Sequence, residues 1–153
     1  MTAEVDRVER AYRDLGARLW RALLGYTGDP EIASDALAEA FAQALARGND
    51  LRSLEDWVWT SAFRIAAGML KKQHMGEQLP SEERYGLPEP VADLVHALSR
   101  ISKQQRLAVV MHDYGDRPTH EVATVMGVSP ATVYVHLHQG RKRLRKLLEG
   151  FDE

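Results

Sequence analysis

The stretch from Thr119 to Leu148 constrains the fold of this chain more than any other. Val122, Ala123 and Met126 recur at helical spacing, so they share one face of a short helix. Gly127 follows, the residue type that most readily adopts the left-handed conformation that ends a helix. Ser129 then offers a side-chain oxygen to a new helix start, and Pro130 takes the first-turn position where a missing N–H costs nothing. At about 100° per residue, Val133, Leu137, Gly140, Leu144 and Leu148 fall on one face of this second helix. Two short helices joined by a tight turn containing glycine form the grammar of a helix-turn-helix, whose second helix enters the DNA major groove. An ordinary helical hairpin has the same spacing.

The opposite face of the second helix presents Ala131, Val135, His138, Gln139 and Lys142, flanked by Tyr134, Arg141 and Arg145. Small and polar residues near the helix start suit base edges, and later arginines and lysines suit phosphates. With the capping residues, the candidate duplex-reading set is Ser129, Ala131, Thr132, Tyr134, Val135, His138, Gln139, Arg141, Lys142 and Arg145. A solvated, solubilising face is the competing reading for each cation of the run Arg141 to Lys146.

Helical spacing extends over most of the chain. Val5, Val8, Tyr12, Leu15, Leu19, Ala22 and Leu23 predict a first helix that stops near Gly25. Asp29-Pro30 opens a second, with Ile32, Ala33, Ala36, Leu37, Ala40, Phe41, Ala44 and Leu45 inward and Gly48 at its end. Ser53 begins a third, where Leu54, Val58, Ser61, Ala62, Ile65 and Met69 form the stripe and Gln73 is about the last residue. On this reading Trp57 lies beside the stripe and joins the core, while Trp59 and Phe63 lie off it and are the aromatics free to stack on unpaired bases.

From His74 to Pro90 the periodicity is lost among prolines and glycines, which predicts a flexible linker. Fully extended, it spans at most about 60 Å. Beyond it Val91, Leu94, Val95 and Leu98 mark a short helix, and Ser102 to Gln105 is a capping-box pattern leading into Leu107, Val110, Met111 and Tyr114. The expected fold is all-α: two small helical domains, residues 1–73 and 91–153, joined by a linker at 74–90, the C-terminal domain containing the helix-turn-helix.

Charge divides along the same boundary. Residues 1–70 hold 8 Lys/Arg against 11 Asp/Glu, whereas residues 99–153 hold 9 against 6. The C-terminal third is therefore the part suited to phosphate. The absence of cysteine excludes disulfides and thiolate metal sites and fits a reducing cytoplasm. The charged opening MTAEVDRVERAYRD is neither a signal peptide nor an anchor, so no membrane insertion is expected. His136 and His138, two apart on a helix, point in different directions, so no metal is expected. No phosphate loop, nucleophile elbow or zinc motif is present, so neither a cofactor nor an enzymatic activity is expected.

With its frame, its Gly127-Val128-Ser129 turn, its Thr132-Val133 pair and its closing Arg-Lys-Arg-Leu-Arg run, the segment Ser102 to Leu148 resembles the C-terminal domain of group IV, or extracytoplasmic function (ECF), sigma factors. Tyr12-Arg13-Asp14-Leu15, Thr27-Gly28-Asp29-Pro30 and Asp35 to Phe41 resemble the family's other domain. The resemblance implies a factor that binds core RNA polymerase and promoter DNA, resides in the cytoplasm, and in many members is held by an anti-sigma protein. It implies that the C-terminal domain reads the −35 element. It places −10 recognition on the third helix, at Trp59, Thr60, Phe63, Arg64, Lys71 and Lys72. It also implies that Asp35 and Glu39, one turn apart, meet the polymerase clamp; a plain solvated face is the alternative. Two rival readings stand beside it. One is a stand-alone helix-turn-helix regulator. The other is a sigma-derived regulator that no longer melts promoters, motivated by Arg64 and Gly68 where the family's pattern differs.

Overall fold

The computed structural model describes residues 2–47, 53–74 and 87–150, and every regular element in them is helical. One group comprises α1 (Thr2–Thr27), α2 (Pro30–Arg47) and α3 (Leu54–His74). The other comprises α4 (Glu89–Ser99), α5 (Lys103–Val109), α6 (Thr119–Met126) and α7 (Pro130–Glu149), with a π-helical turn at Val110–Tyr114 continuing α5. Residues 75–86 of the expected linker, and Gly48 at the expected end of α2, lie outside the described residues. No helix among the described residues is long and apolar enough to cross a membrane.

The caps follow local chemistry. Asp29 Oδ1 accepts the amide of Glu31 at 2.9 Å and opens α2. Ser53 Oγ accepts the amide of Asp56 at 3.3 Å at the start of α3. Ser102 and Gln105 exchange both bonds of a capping box, at 3.1 and 3.2 Å. One expected end is displaced: α1 passes Gly25 and reaches Thr27. Gly25 is a packing position, since a Cβ there would lie 3.4 Å from Leu98 Cδ1 and 3.6 Å from Val110 Cγ2.

Alanines at 33, 36, 40, 44, 62 and 66 are buried where α1, α2 and α3 meet, allowing close approach around Leu19, Leu23, Phe41 and Leu70. Val5 and Tyr12, expected inward, remain 40% and 52% exposed. They sit at the open end of the α1–α2 pair, lining a shallow groove with Leu45. The buried face of α3 also differs from its expected stripe. Leu54, Val58 and Ala62 are inward as expected, but Trp59, Phe63, Ala66 and Leu70 join them, and Ser61, Ile65 and Met69 are only half-buried. The face is turned toward Trp59 and Phe63 because a second surface, from the other helical group, covers that side.

That covering surface makes the two groups one packed body. Arg106 Nη1 donates to the Tyr26 carbonyl at 3.0 Å, its guanidinium 6.0 Å from the Tyr26 ring. Tyr26 leans on Phe63 at 5.6 Å, Phe63 stacks on Trp59 at 6.0 Å, and Trp59 lies under the Arg117 guanidinium at 5.6 Å. A continuous cation–aromatic column thus crosses the seam from Arg106 to Arg117. Arg117 also donates to Glu55 at 3.2 Å and to Asp56 on α3, and to both carboxylate oxygens of Glu121, at 2.5 and 3.0 Å. Gly115 closes the seam: a Cβ there would meet Trp59 Cζ3 at 2.8 Å and the Met111 carbonyl oxygen at 2.7 Å. At the far edge Arg18 donates to the Tyr114 carbonyl and to Asp116 at 3.2 Å.

Candidate nucleic-acid interface

The turn that aims α7 is built as its residue types demand. Gly127 adopts φ 72°, ψ 32°, and its amide donates to the Ala123 carbonyl at 2.9 Å, ending α6. Ser129 is extended, and its Oγ accepts the Thr132 amide at 3.2 Å. Nothing lies within 4 Å of a Cβ placed on Gly127, so substitution there meets only the backbone cost of the left-handed conformation. Gly127→Ala is expected to lower stability by about 1–2 kcal/mol, read from thermal unfolding, and Gly127→Asn by less.

α7 buries Val133, Leu137, Gly140 and Leu144 against the domain. Ser129, Ala131, Tyr134, Val135, His138, Gln139, Arg141, Lys142 and Arg145 of the candidate set are exposed, and Thr132 is half-buried. Five of these side chains are engaged within the protein, among them Tyr134, whose hydroxyl accepts from Thr119 Oγ1 at 3.2 Å. The Thr132 hydroxyl lies 3.0 Å from Ser129 Oγ, completing the cap. Gln139 accepts from Gln105 at 3.3 Å. Arg141 forms a two-point pair with Asp113, with Nε donating at 2.7 Å. The remaining outward line, Ala131, Val135, His138, Lys142 and Arg145, runs straight along the helix at spacings of four and three. It begins apolar and ends cationic.

The bond from Arg141 holds the Asp113 carboxyl below the usual carboxylate range; partial burial opposes this, and His112 at 3.0 Å adds to the lowering. For a carboxylate depressed in the folded state, the stabilisation is complete above the unfolded pKa, about 4, and disappears as pH falls through the folded value. Arg141→Ala is therefore expected to cost under about 1 kcal/mol near neutral pH, because the pair is partly solvated, and the difference from wild type is expected to shrink as pH falls below about 4. Urea melts at pH 3 to 7 check this.

In the N-terminal group Asp35 and Glu39 are exposed on one face of α2, and Glu39 accepts from Gln43 Nε2 at 3.0 Å. On α3, Arg64, Lys71 and Lys72 are exposed and Thr60 is half-buried. The expectation for the aromatics is reversed. Trp59 and Phe63 are 1% and 0% exposed and lie inside the seam column, unable to stack on bases in this arrangement. The half-buried Trp57, under the Arg47 guanidinium at 5.4 Å, is the accessible one. It shares a line with Thr60, Arg64 and Lys71, at spacings of three, four and seven.

Sequence patterns mark neither Arg106 nor Arg117, and they mark Glu55 and Asp56 only as part of the capped start of α3, not as partners of Arg117. Arg106 left a trace, since it lies one turn before Val110 on the inward side of α5. Arg117 stands in an aperiodic segment before Pro118 and left none.

A family model described as Sigma-70, region 4 matches residues 92–144. The chain is 25% identical to the ECF RNA polymerase sigma factor SigL of Mycobacterium tuberculosis, over 96% of this chain and 92% of that protein. It is 28% identical to the RNA polymerase sigma-E factor of Streptomyces antibioticus, over 97% and 88%. Among solved structures it resembles CnrH in complex with the cytosolic domain of CnrY, with TM-score 0.69 and 18% identity over 94% and 88% of the two chains. It likewise resembles the sigma factor RpoE in complex with the anti-sigma factor NepR from Bartonella quintana, with TM-score 0.67 and 19% identity over 92% and 98%.

Proposed function

We propose that this chain, a member of the extracytoplasmic function branch of the sigma-70 family, binds core RNA polymerase in the cytoplasm and directs it to a restricted set of promoters. The observation that carries this reading is the graded outer face of α7, apolar then cationic, within a stretch matching sigma-70 region 4. Such a face suits a helix that puts its first turns against base edges and its later turns against phosphate.

Residues 91–153 then form the −35-reading domain, through Ala131, Tyr134, Val135, His138, Lys142 and Arg145. Ser129 and Thr132 set the helix start, and Gln139 and Arg141 hold α7 to α5 and its π turn. Residues 1–73 form the domain that meets the polymerase clamp through Asp35 and Glu39, acidic groups placed to face a basic partner. They also contact the −10 element through Trp57, Thr60, Arg64, Lys71 and Lys72, with the aromatic ring available for an unstacked base. The chain contributes binding energy and position, and catalysis stays with the polymerase. An anti-sigma protein is a further partner, in keeping with the complex of one structural neighbour, RpoE, with the anti-sigma factor NepR.

The deciding experiment is reconstitution of the full chain with core polymerase, followed by run-off transcription on genomic fragments. Co-purification with core and initiation from a discrete set of fragments are expected. Neither binding nor run-off product would remove this reading.

A further inference from the structure

We propose that α7 recognises thymine through its C5-methyl group, with Val135 as the reading side chain and Ala131 beside it. The inference rests on the promoter-binding role given above and specifies what the −35 reader selects.

Val135 is 52% exposed, although Val122 and Val133 of the same domain are 0% exposed. A β-branched residue is also a poorer helix former than alanine, lysine or glutamine, so neither local preference nor burial accounts for valine at this exposed position. Ala131, one turn earlier, extends the apolar patch toward the helix N-terminus, and Lys142 and Arg145 extend the same line the other way. The cationic end places phosphate at one end of the line and therefore directs the apolar end at a groove.

In the major groove the thymine C5-methyl is the one apolar feature among the base-edge groups. An aliphatic side chain there meets a methyl favourably, and it leaves the exocyclic amine of a cytosine without an acceptor. Tyr134, at 58% exposed, accepts from Thr119 Oγ1 at 3.2 Å, which ties its phenol to α6 and away from the line. Gln139 and Arg141 are held by Gln105 and Asp113. The long polar side chains flanking Val135 are thus partly committed inside the protein, and the line itself is left to Ala131, Val135 and His138.

The test uses the reconstituted holoenzyme on a promoter it selects in run-off transcription. Each thymine of the upstream element, on either strand, is replaced singly by deoxyuridine, which removes the methyl and keeps every hydrogen-bonding group. Promoter affinity is read by competition. At one or two positions uridine is expected to weaken binding about fourfold, the scale of one buried methyl. With Val135→Ala the thymine template weakens by a similar factor and the thymine–uridine difference at that position disappears; Val135→Ile retains it. Circular dichroism confirms unchanged helicity.

An equal uridine penalty in wild type and Val135→Ala overturns the proposal, because the methyl then acts through DNA shape. Absence of any uridine effect upstream, with transcription intact, overturns it and leaves the sigma-factor reading standing. A Val135→Ala chain as active as wild type on every template also overturns it. Failure of the holoenzyme to select any fragment overturns both readings together.

Discussion

Arg117→Ala is expected to lower the unfolding free energy by about 3–5 kcal/mol, the scale for removing one partner of a buried ion pair. The side chains of Arg117 and Glu121 are each 7% exposed, so truncation leaves a buried carboxylate without its cation. Hydrogen bonding to Glu121 holds the guanidinium pKa above its ordinary value against the opposing effect of burial, and the bond to Asp56 adds to it, so the arginine stays charged. The other two partners matter less. Glu55 and Asp56 are 53% and 58% exposed, and contacts of that kind are worth about 1 kcal/mol or less.

The variants therefore rank in a definite order. Glu55→Gln and Asp56→Asn are expected to be mild and Arg117→Ala severe, with Arg117→Ala/Glu121→Leu recovering most of the loss because the stranded charge is gone. Urea denaturation followed by circular dichroism measures all four. A mild effect of Arg117→Ala, or no recovery in the double variant, would show that the Glu121 pair is not what holds this region.

Trp59→Ala is expected to cost a further large amount, about 3–5 kcal/mol, the range for emptying a buried tryptophan site. The ring is 1% exposed, sandwiched between Phe63, Arg117 and Gly115. Trp59→Phe keeps a ring against Gly115 and is expected to lose far less. The result separates two roles for this residue. A side chain that stacks on an unpaired base would, when truncated, reduce promoter opening with little change in unfolding free energy. A seam residue would lose stability first. Because Arg117 and Trp59 touch, their effects should not add, and a double-mutant cycle is expected to give a coupling of at least about 0.5 kcal/mol.

The helices and their starts were legible because each depends on a few neighbouring residues. Ser102 with Gln105, Asp29 with Pro30, and Gly127 with Ser129 and Pro130 carry their capping chemistry within one turn, and the structure uses all three. The same holds for α7, whose inward residues Val133, Leu137, Gly140 and Leu144 were set by periodicity alone. The candidate duplex-reading face was legible for the same reason, as the complement of that stripe. Its internal pairings were not: Arg141 with Asp113 spans 28 positions and Gln139 with Gln105 spans 34.

By itself the sequence determined an all-α chain, its helix boundaries to within a few residues, and a helix-turn-helix whose second helix turns an apolar-to-basic face outward. These follow from backbone chemistry and side-chain periodicity acting over three or four residues. Only the tertiary structure decided that the two helical groups share a seam, that Arg106 and Arg117 are buried in it, and that Trp59 and Phe63 face inward while Trp57 does not. The physical reason is separation: Arg117 meets Glu55 across 62 positions, and Arg106 meets Tyr26 across 80. Which side of α3 is inside depends on the surface that arrives to cover it, and no periodicity within α3 records that arrival.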